Sequence, residues 1–338
     1  QKHNWGPTVT RVLIPAGAVG LGWDAEALER GIAAKPDLIA IDGGSTDSGP
    51  SYLGRGVSKY ARSSTKLEWS VLVEAARRAG CPLVIGSAGT CGADSAADWL
   101  LEITTETLQD QSATAKIAAL RSGQPKARVA KALASGAITP LTPAPHIAAD
   151  LIESCTNIVA LAGAEQVQAA LDTGADIVIA GRTTDTAIIA ALPMSQGVDP
   201  GLAWHAAKIG ECGAICATNP LSGVIQIDWD ATGFTLTPLA DGAKATPHTV
   251  SAHMLYENAD PFLLHEPGGT LDVTDACYEA LDEARVRVTG AVWRDATDYT
   301  VKLEGARIAG YQTIALALLR DRRYVENAER WAADIVAA

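Results

Sequence analysis

The sequence predicts an α/β protein: a parallel sheet with helices on both faces, Rossmann-like, followed by a smaller α+β region. Three observations lead there. Short apolar runs such as Leu38–Asp42, Pro82–Gly86 and Asp176–Gly181 alternate with helical stretches, the order that yields a parallel sheet. These runs are apolar throughout, as strands buried on both faces must be. Beyond about Leu221 the texture changes to runs that alternate with period two, the mark of half-buried strands.

The elements follow in order. Val12-Leu13-Ile14 is a strand, and the turn Pro15–Gly22 leads to Asp24, an N-cap for a helix to about Ala34. After the strand Leu38–Asp42 a long loop runs to about Tyr60, and a helix from about Thr65 to Ala79 stops at Gly80. Pro82–Gly86 is the third strand, Ser87–Gly92 a glycine-rich loop, and a helix starts near Asp94. The alternation resumes with a strand at Asn157–Leu161, a helix at Ala164–Thr173 stopped by Gly174, a strand at Asp176–Gly181 and a helix from about Asp185. In the second part, Val224–Trp229 and Phe234–Thr237 flank the hairpin signal Asp230–Gly233. Ala284–Thr289 and Tyr299–Leu303 alternate, and helices are expected near Thr249–Asn258 and Tyr324–Ala337. The boundary is placed near residue 220, giving an α/β ligand-binding domain over 1–220 and an α+β domain over 221–338.

Composition limits the function classes. The 338 residues are 48% hydrophobic and 20% charged, which supports a real core. The net charge is −12 and the sequence pI about 4.9, so neither nucleic acid nor an anionic membrane surface is an expected partner. No apolar run reaches the ~18 residues of a membrane span, and Gln1–Pro7 carries no signal-peptide core. The six cysteines are read as thiols in a reducing cytoplasm.

Ligands of open parallel sheets bind beyond the carboxyl ends of the strands, and four loops there carry candidate chemistry. In Asp42–Pro50 the glycines free backbone amides for an anion, Ser45 and Thr46 add hydroxyls, and Asp42 and Asp47 offer carboxylates for a base or a metal. The chain then brings Arg55, Lys59, Arg62 and Lys66 within twelve residues, a clamp for a carboxylate or a coenzyme A phosphate; the alternative is a solvated loop. The loop Gly86–Gly92 could cradle an anion through Thr90 and its backbone at a helix N-terminus. It lacks the spacing of a phosphate-binding or dinucleotide motif, so no NAD is expected. In Gly181–Thr186, Arg182 directly follows a buried strand. It must meet Asp185, another carboxylate or a ligand anion, and the ligand is favoured; Asp185 is a candidate base or a simple N-cap. In Gly210–Pro220, Glu211 is a candidate general acid or base. Cys212 and Cys216 have no second pair for zinc, the histidines lack metal spacing, and no Gly-x-Ser-x-Gly elbow occurs.

Three segments resemble one family. Asp172–Ile179 with Gly181–Ala187 resembles its "DAGADIVITGR-x-x-D-x-A" stretch, and Glu211-Cys212-Gly213-Ala214 resembles its "ECGAQ". Pro247–Asn258, with Val250, Leu255, Tyr256 and Glu257 ahead of Ala259-Asp260-Pro261, resembles its "T-V-x-x-Q-L-L-Y-E-I-x-D-P" helix. The family is acyclic terpene utilisation AtuA, and the likeness is clearest over about 150–290. Gly54–Tyr60 departs from the pattern, which marks a divergent branch. The resemblance implies a cytoplasmic catabolic protein linked to the breakdown of branched terpenoid acids as coenzyme A thioesters. It carries over no catalytic residue.

Together these readings favour an enzyme, a lyase or hydratase acting on a small carboxylic acid or its coenzyme A thioester. Asp47, Asp185 and Glu211 are its candidate catalytic carboxylates. Ser45, Thr46, Arg55, Lys59, Thr90 and Arg182 are its candidate substrate contacts. A second reading is a metal-assisted hydrolase opening an amide, lactone or ring, with a divalent ion on Asp42, Asp47 and Asp185. A third is a non-catalytic subunit that binds an acyl ligand for a partner enzyme. A small anionic substrate and a homo-oligomer are expected.

Overall fold

The structure is a computed structural model, described here for residues 10–44, 50–143, 146–256 and 258–337. Its strands in chain order are β1 (Thr10–Ile14), β2 (Leu38–Asp42), β3 (Leu83–Gly86), β4 (Ile117–Leu120), β5 (Asn157–Ala160), β6 (Ile177–Ala180) and β7 (Ile225–Trp229). They continue with β8 (Phe234–Pro238), β9 (Leu263–Glu266), β10 (Gly269–Asp272), β11 (Cys277–Ala280), β12 (Val286–Thr289), β13 (Val292–Asp295) and β14 (Leu303–Ala306).

One nine-stranded sheet, ordered β11-β12-β8-β7-β1-β2-β3-β6-β4, organises the chain up to residue 307. Its five strands β1, β2, β3, β6 and β4 run parallel. From β7 onward the neighbours are antiparallel. The molecule is thus mixed α/β, its parallel strands extended within the same sheet by antiparallel ones. Two smaller antiparallel sheets, β13-β10-β9 and β14-β5, complete it.

Side-chain alternation explains the layers. Along β1, Leu13 packs with Ile39, Leu83 and Ile177 against the helices Ala25–Ala33, Arg62–Ala79 and Asp94–Asp110. Val12 and Ile14 point the other way, with Leu38, Val84 and Val178, into helices Ala164–Leu171, Ala187–Ser195 and Pro200–Gly210. Successive strand residues face opposite sides, so a strand covered by helices on both faces must be apolar at every position, as Leu38–Ile41 is.

Most expected elements are present. Asp24 caps its helix by accepting from the Ala27 N–H at 2.8 Å. Gly80 ends the long helix in the left-handed conformation, φ 71°. The hairpin turn at Asp230 is anchored by a buried pair with Arg287 of β12, Nη2 to Oδ1 2.7 Å. Two differences stand out. Asn157–Leu161 reads as another parallel strand, but β5 leaves the main sheet and pairs antiparallel with β14. Its place is taken by β4, whose Ile-Ala-Ala-Leu is only half-buried at the sheet edge and so gives little apolar signal. Residues 308–338 form a separate unit with short helices at Arg322–Val325 and Ala328–Ala337, where Tyr324 packs against Trp331 at 5.5 Å.

Strand register sets the functional edge. Asp42 at the end of β2 pairs with Gly86 at the end of β3, and Ile85 with Ile179 of β6. Ile14 at the end of β1 faces Ile225 at the start of β7. Residues 211–224 therefore arrive at the same edge as the carboxyl ends of the parallel strands.

Candidate active site

Backbone hydrogen bonds draw three of the four loops together. The Gly43 N–H donates to the Gly86 carbonyl at 2.7 Å, and the Ser87 and Ala88 N–H groups to the Gly181 and Ala180 carbonyls at 2.9 and 3.0 Å. The Arg182 N–H donates to the Gly92 carbonyl at 3.1 Å. Approach this close needs residues without side chains: a Cβ on Gly43 would lie 2.5 Å from the Ser87 carbonyl oxygen. Ser87 and Thr90 themselves hold positive φ, 44° and 79°, a conformation costly for residues with a Cβ and concentrated where function requires it.

Arg182 is the charged hub of this edge. Its Nε meets Glu304 Oε2 at 2.9 Å, its Nη1 meets Ser87 Oγ at 2.8 Å, and Asp185 lies 3.7 Å away. Burial opposes its charge, but Glu304, Asp185 and Asp42 hold the guanidinium protonated. Glu304 is likewise buried, yet the hydrogen bond from Arg182 and its charge, with help from Lys302, bring its carboxyl down to about 2. Asp42 behaves oppositely. Burial, and then repulsion from Asp185, push its carboxyl well above the usual range against the pull of Arg182.

A second group adjoins through Asp185. Lys208 Nζ and Glu211 Oε1 meet at 2.5 Å, three residues apart at the end of the helix Pro200–Gly210. Burial raises the Glu211 carboxyl, and repulsion from Asp185 and Glu266 adds to it, outweighing Lys208. Glu266, at the end of β9, accepts from Thr186 Oγ1 at 2.6 Å; burial pushes it up to about 7. Four carboxyl groups, Asp42, Asp185, Glu211 and Glu266, thus share one electrostatic neighbourhood with Arg182 and Lys208. Burial and mutual repulsion favour the protonated form of Asp42, Glu211 and Glu266.

Several buried oxygens at this edge have no hydrogen-bond partner among the described residues: Asp42 Oδ1, Thr90 Oγ1, Thr183 Oγ1 and Glu266 Oε2. Two of them converge over Gly86, where a Cβ would lie 2.5 Å from Thr183 Oγ1 and 3.4 Å from Asp42 Oδ1. Buried polar atoms are normally paired, and these exceptions gather at one edge.

Of the residues expected from sequence, Thr90, Arg182, Asp185 and Glu211 meet at this edge. Ser45, Thr46 and Asp47 lie outside the described residues. Arg55, at the end of the short helix Ser51–Arg55, and Lys59, on the loop ahead of the helix Arg62–Ala79, are exposed and lie over the rings of Tyr52 and Tyr60 at 5.1 and 5.5 Å. Sequence reading did not select Lys208, Glu266, Thr183 or Glu304. Lys208 carried a usable signal, its i,i+3 spacing from Glu211 on a helix. Thr183 is the neighbour of Arg182 in the same loop, whereas Glu266 and Glu304 are joined to the site only by long-range contacts. Among the described residues no group of three or more His, Cys, Asp or Glu is arranged to hold a metal ion. All six cysteines are unbridged.

The fold is mixed α/β, with a group of buried carboxyls at the carboxyl edge of its parallel strands. The model of the acyclic terpene utilisation family protein AtuA matches residues 56–338, and the chain belongs to that family. No curated protein and no solved structure matches it. No helix among the described residues is long and apolar enough to cross a membrane.

Proposed function

We propose that the protein is a catabolic enzyme acting on a small carboxylic acid or its coenzyme A thioester, as a lyase or hydratase. The observation that carries this reading is the pairing of proton-holding carboxyls with unsatisfied oxygens at one sheet edge: Asp42 Oδ1 and Thr183 Oγ1 above Gly86, beside Asp185. In the hydration direction, Asp185, the most open of the four carboxylates, takes a proton from water as the new C–O bond forms. A protonated neighbour, Asp42 or Glu211, gives its proton to the adjacent carbon as the C=C bond becomes single. Elimination is the reverse. Arg182 and Lys208 supply positive charge as the substrate's carbonyl oxygen gains negative charge. A positioned acid or base of this kind contributes roughly 10²–10⁴ in rate.

The reading extends to a cytoplasmic homo-oligomer with a small anionic substrate; sedimentation of the purified protein tests the assembly. The chemistry is tested by following loss or gain of the C=C absorbance of short unsaturated acids and their coenzyme A thioesters. Asp185→Asn and Glu211→Gln are expected to lower kcat by about a hundredfold or more. Full activity in both variants would overturn the assignment. Activity that disappears on chelation and returns with a divalent ion would instead favour metal-assisted hydrolysis.

A further inference from the structure

Residues 308–338 are a unit of their own, and they leave two kinds of group without partners. Over 308–320 the backbone belongs to no helix or strand, and among the described residues it takes part in no backbone hydrogen bond. Free amides and carbonyls in an extended chain are a template for strand pairing. Along the same stretch Tyr311, Ile314, Leu316 and Leu318 are between 87% and 94% exposed. The helices that follow, Arg322–Val325 and Ala328–Ala337, bury no residue. Trp331 and Ile335, one turn apart, are both exposed, with Tyr324 against the Trp331 ring.

A segment of fewer than about 40 residues usually needs a disulfide, a metal or a second chain to hold a core. This one contains no cysteine, and no group among the described residues is arranged to hold a metal, which leaves a second chain. The sequence supplies both layers of a shared core. Ile314, Leu316 and Leu318 alternate with Thr313, Ala315 and Ala317, so in an extended chain the large side chains share one face and the small ones the other. The helix Ala328–Ala337 places Trp331 and Ile335 on one side, a cover for the large face. Four arginines balance four acidic residues over 308–338, so the unit is neutral and the net charge of −12 lies on the rest of the chain. Two such units meet without the repulsion that two acidic surfaces suffer. The area is sufficient too. Six large apolar side chains are exposed over 308–319. At roughly 100 Å² each, two copies together reach the ~1,200 Å² at which specific interfaces begin.

We propose that residues 308–337 are the dimerisation element of this protein. The segment 313–319 pairs antiparallel with the same segment of a second copy, and the helices Ala328–Ala337 of both copies cover the face of Ile314, Leu316 and Leu318. Antiparallel pairing lets each copy offer the other the same surface, as an isologous two-fold contact requires. The product is a two-layer arrangement of strands and helices around one core. This rests on the homo-oligomer reading above and names the surface that makes the contact; it is independent of the lyase chemistry.

Sedimentation velocity and hydrogen exchange on the purified protein test it together. The protein is expected to sediment as a dimer, at twice the 35.1 kDa of one chain. The amides of 313–319 are expected to exchange slowly in the dimer and freely on dilution to monomer. The double variant Leu316→Glu, Leu318→Glu sets like charges across the pairing. It is expected to raise the dimer dissociation constant by at least about a hundredfold and to abolish the protection. Trp331→Ala is expected to raise that constant by about tenfold. Far-ultraviolet spectra confirm that each variant folds. A monomeric unmodified protein would overturn both the proposal and the homo-oligomer reading. An oligomer that the double variant leaves intact would overturn the proposal alone. A monomer whose 313–319 amides gain protection only on phosphatidylglycerol vesicles would overturn it in favour of a lipid surface.

Discussion

Arg182 and Glu304, 122 residues apart in the chain, meet at 2.9 Å in a pair whose side chains are 6% and 10% exposed. The pair ties β14 to the loop after β6. With Ser87 it also fixes the guanidinium at the edge where Asp42 and Asp185 lie. Charge at this site is therefore set by a carboxylate from a distant strand.

Removing one partner of such a pair strands the other in a place where water cannot solvate it. Glu304→Ala is expected to destabilise the fold by about 3–5 kcal/mol. Arg182→Lys retains the charge but not the fork and is expected to lose less. Urea denaturation midpoints of the two variants check the order, and an unchanged midpoint for Glu304→Ala would refute the structural role of the pair.

Glu266 gives stability a pH dependence of definite sign. Its carboxyl is raised to about 7 by burial, above an unfolded value near 4.3. The folded protein therefore binds the extra proton, and stability falls as pH climbs between those limits. Its contribution is complete below about 4.3 and lost above about 7. Glu266→Gln cannot ionise, so the drop in denaturation midpoint between pH 5 and pH 8 is expected to be smaller than in the unmodified protein. An identical drop would show that Glu266 does not titrate in this window.

Two glycines separate backbone strain from crowding. Gly80 and Gly92 both have positive φ, 71° and 62°, but a Cβ on Gly80 meets nothing within 4 Å. On Gly92 it would lie 2.3 Å from the Arg182 amide nitrogen. Gly80→Ala is expected to cost about 1 kcal/mol, the price of the left-handed conformation. Gly92→Ala is expected to cost about 3 kcal/mol or more, because backbone must also move. Equal melting temperatures would contradict the close approach of the two loops.

The thiols divide by access. Cys277 is exposed, whereas Cys91, Cys155 and Cys216 are buried, and burial pushes Cys216 up to about 12. Iodoacetamide on the native protein is expected to modify Cys277 first and leave Cys216 untouched until unfolding. Peptide mass mapping reads the order, and early labelling of Cys216 would contradict its place in the core.

How much of this was legible in the sequence depends on the distance over which each residue acts. The parallel strands announced themselves because double-sided burial forces runs such as Leu38–Ile41 to be apolar at every position. The loops after β2, β3 and β6 were legible as neighbours because parallel strands present their carboxyl ends together. The antiparallel half was visible as period-two runs, but nothing local says that β7 docks beside β1. β4 escaped because half-buried alanines carry no periodicity. At the site, Arg182, Asp185 and Glu211 stood out as charges beside buried segments. Glu304 and Glu266 sit in strands of ordinary polarity, and only the tertiary fold brings them to the edge.

The sequence separation of Arg182 and Glu304 also has a consequence in time. A ribosome adds roughly 5–20 residues per second, so Arg182 is made well before the strand that carries its carboxylate. Through that interval β1, β2, β3, β4 and β6 are all available to assemble, while the guanidinium they enclose lacks Glu304. The edge reaches its final charge balance only when β14 arrives, among the last strands synthesised. A truncated product ending between β12 and Glu304 therefore carries every strand of the main sheet but leaves Arg182 without its Glu304 partner.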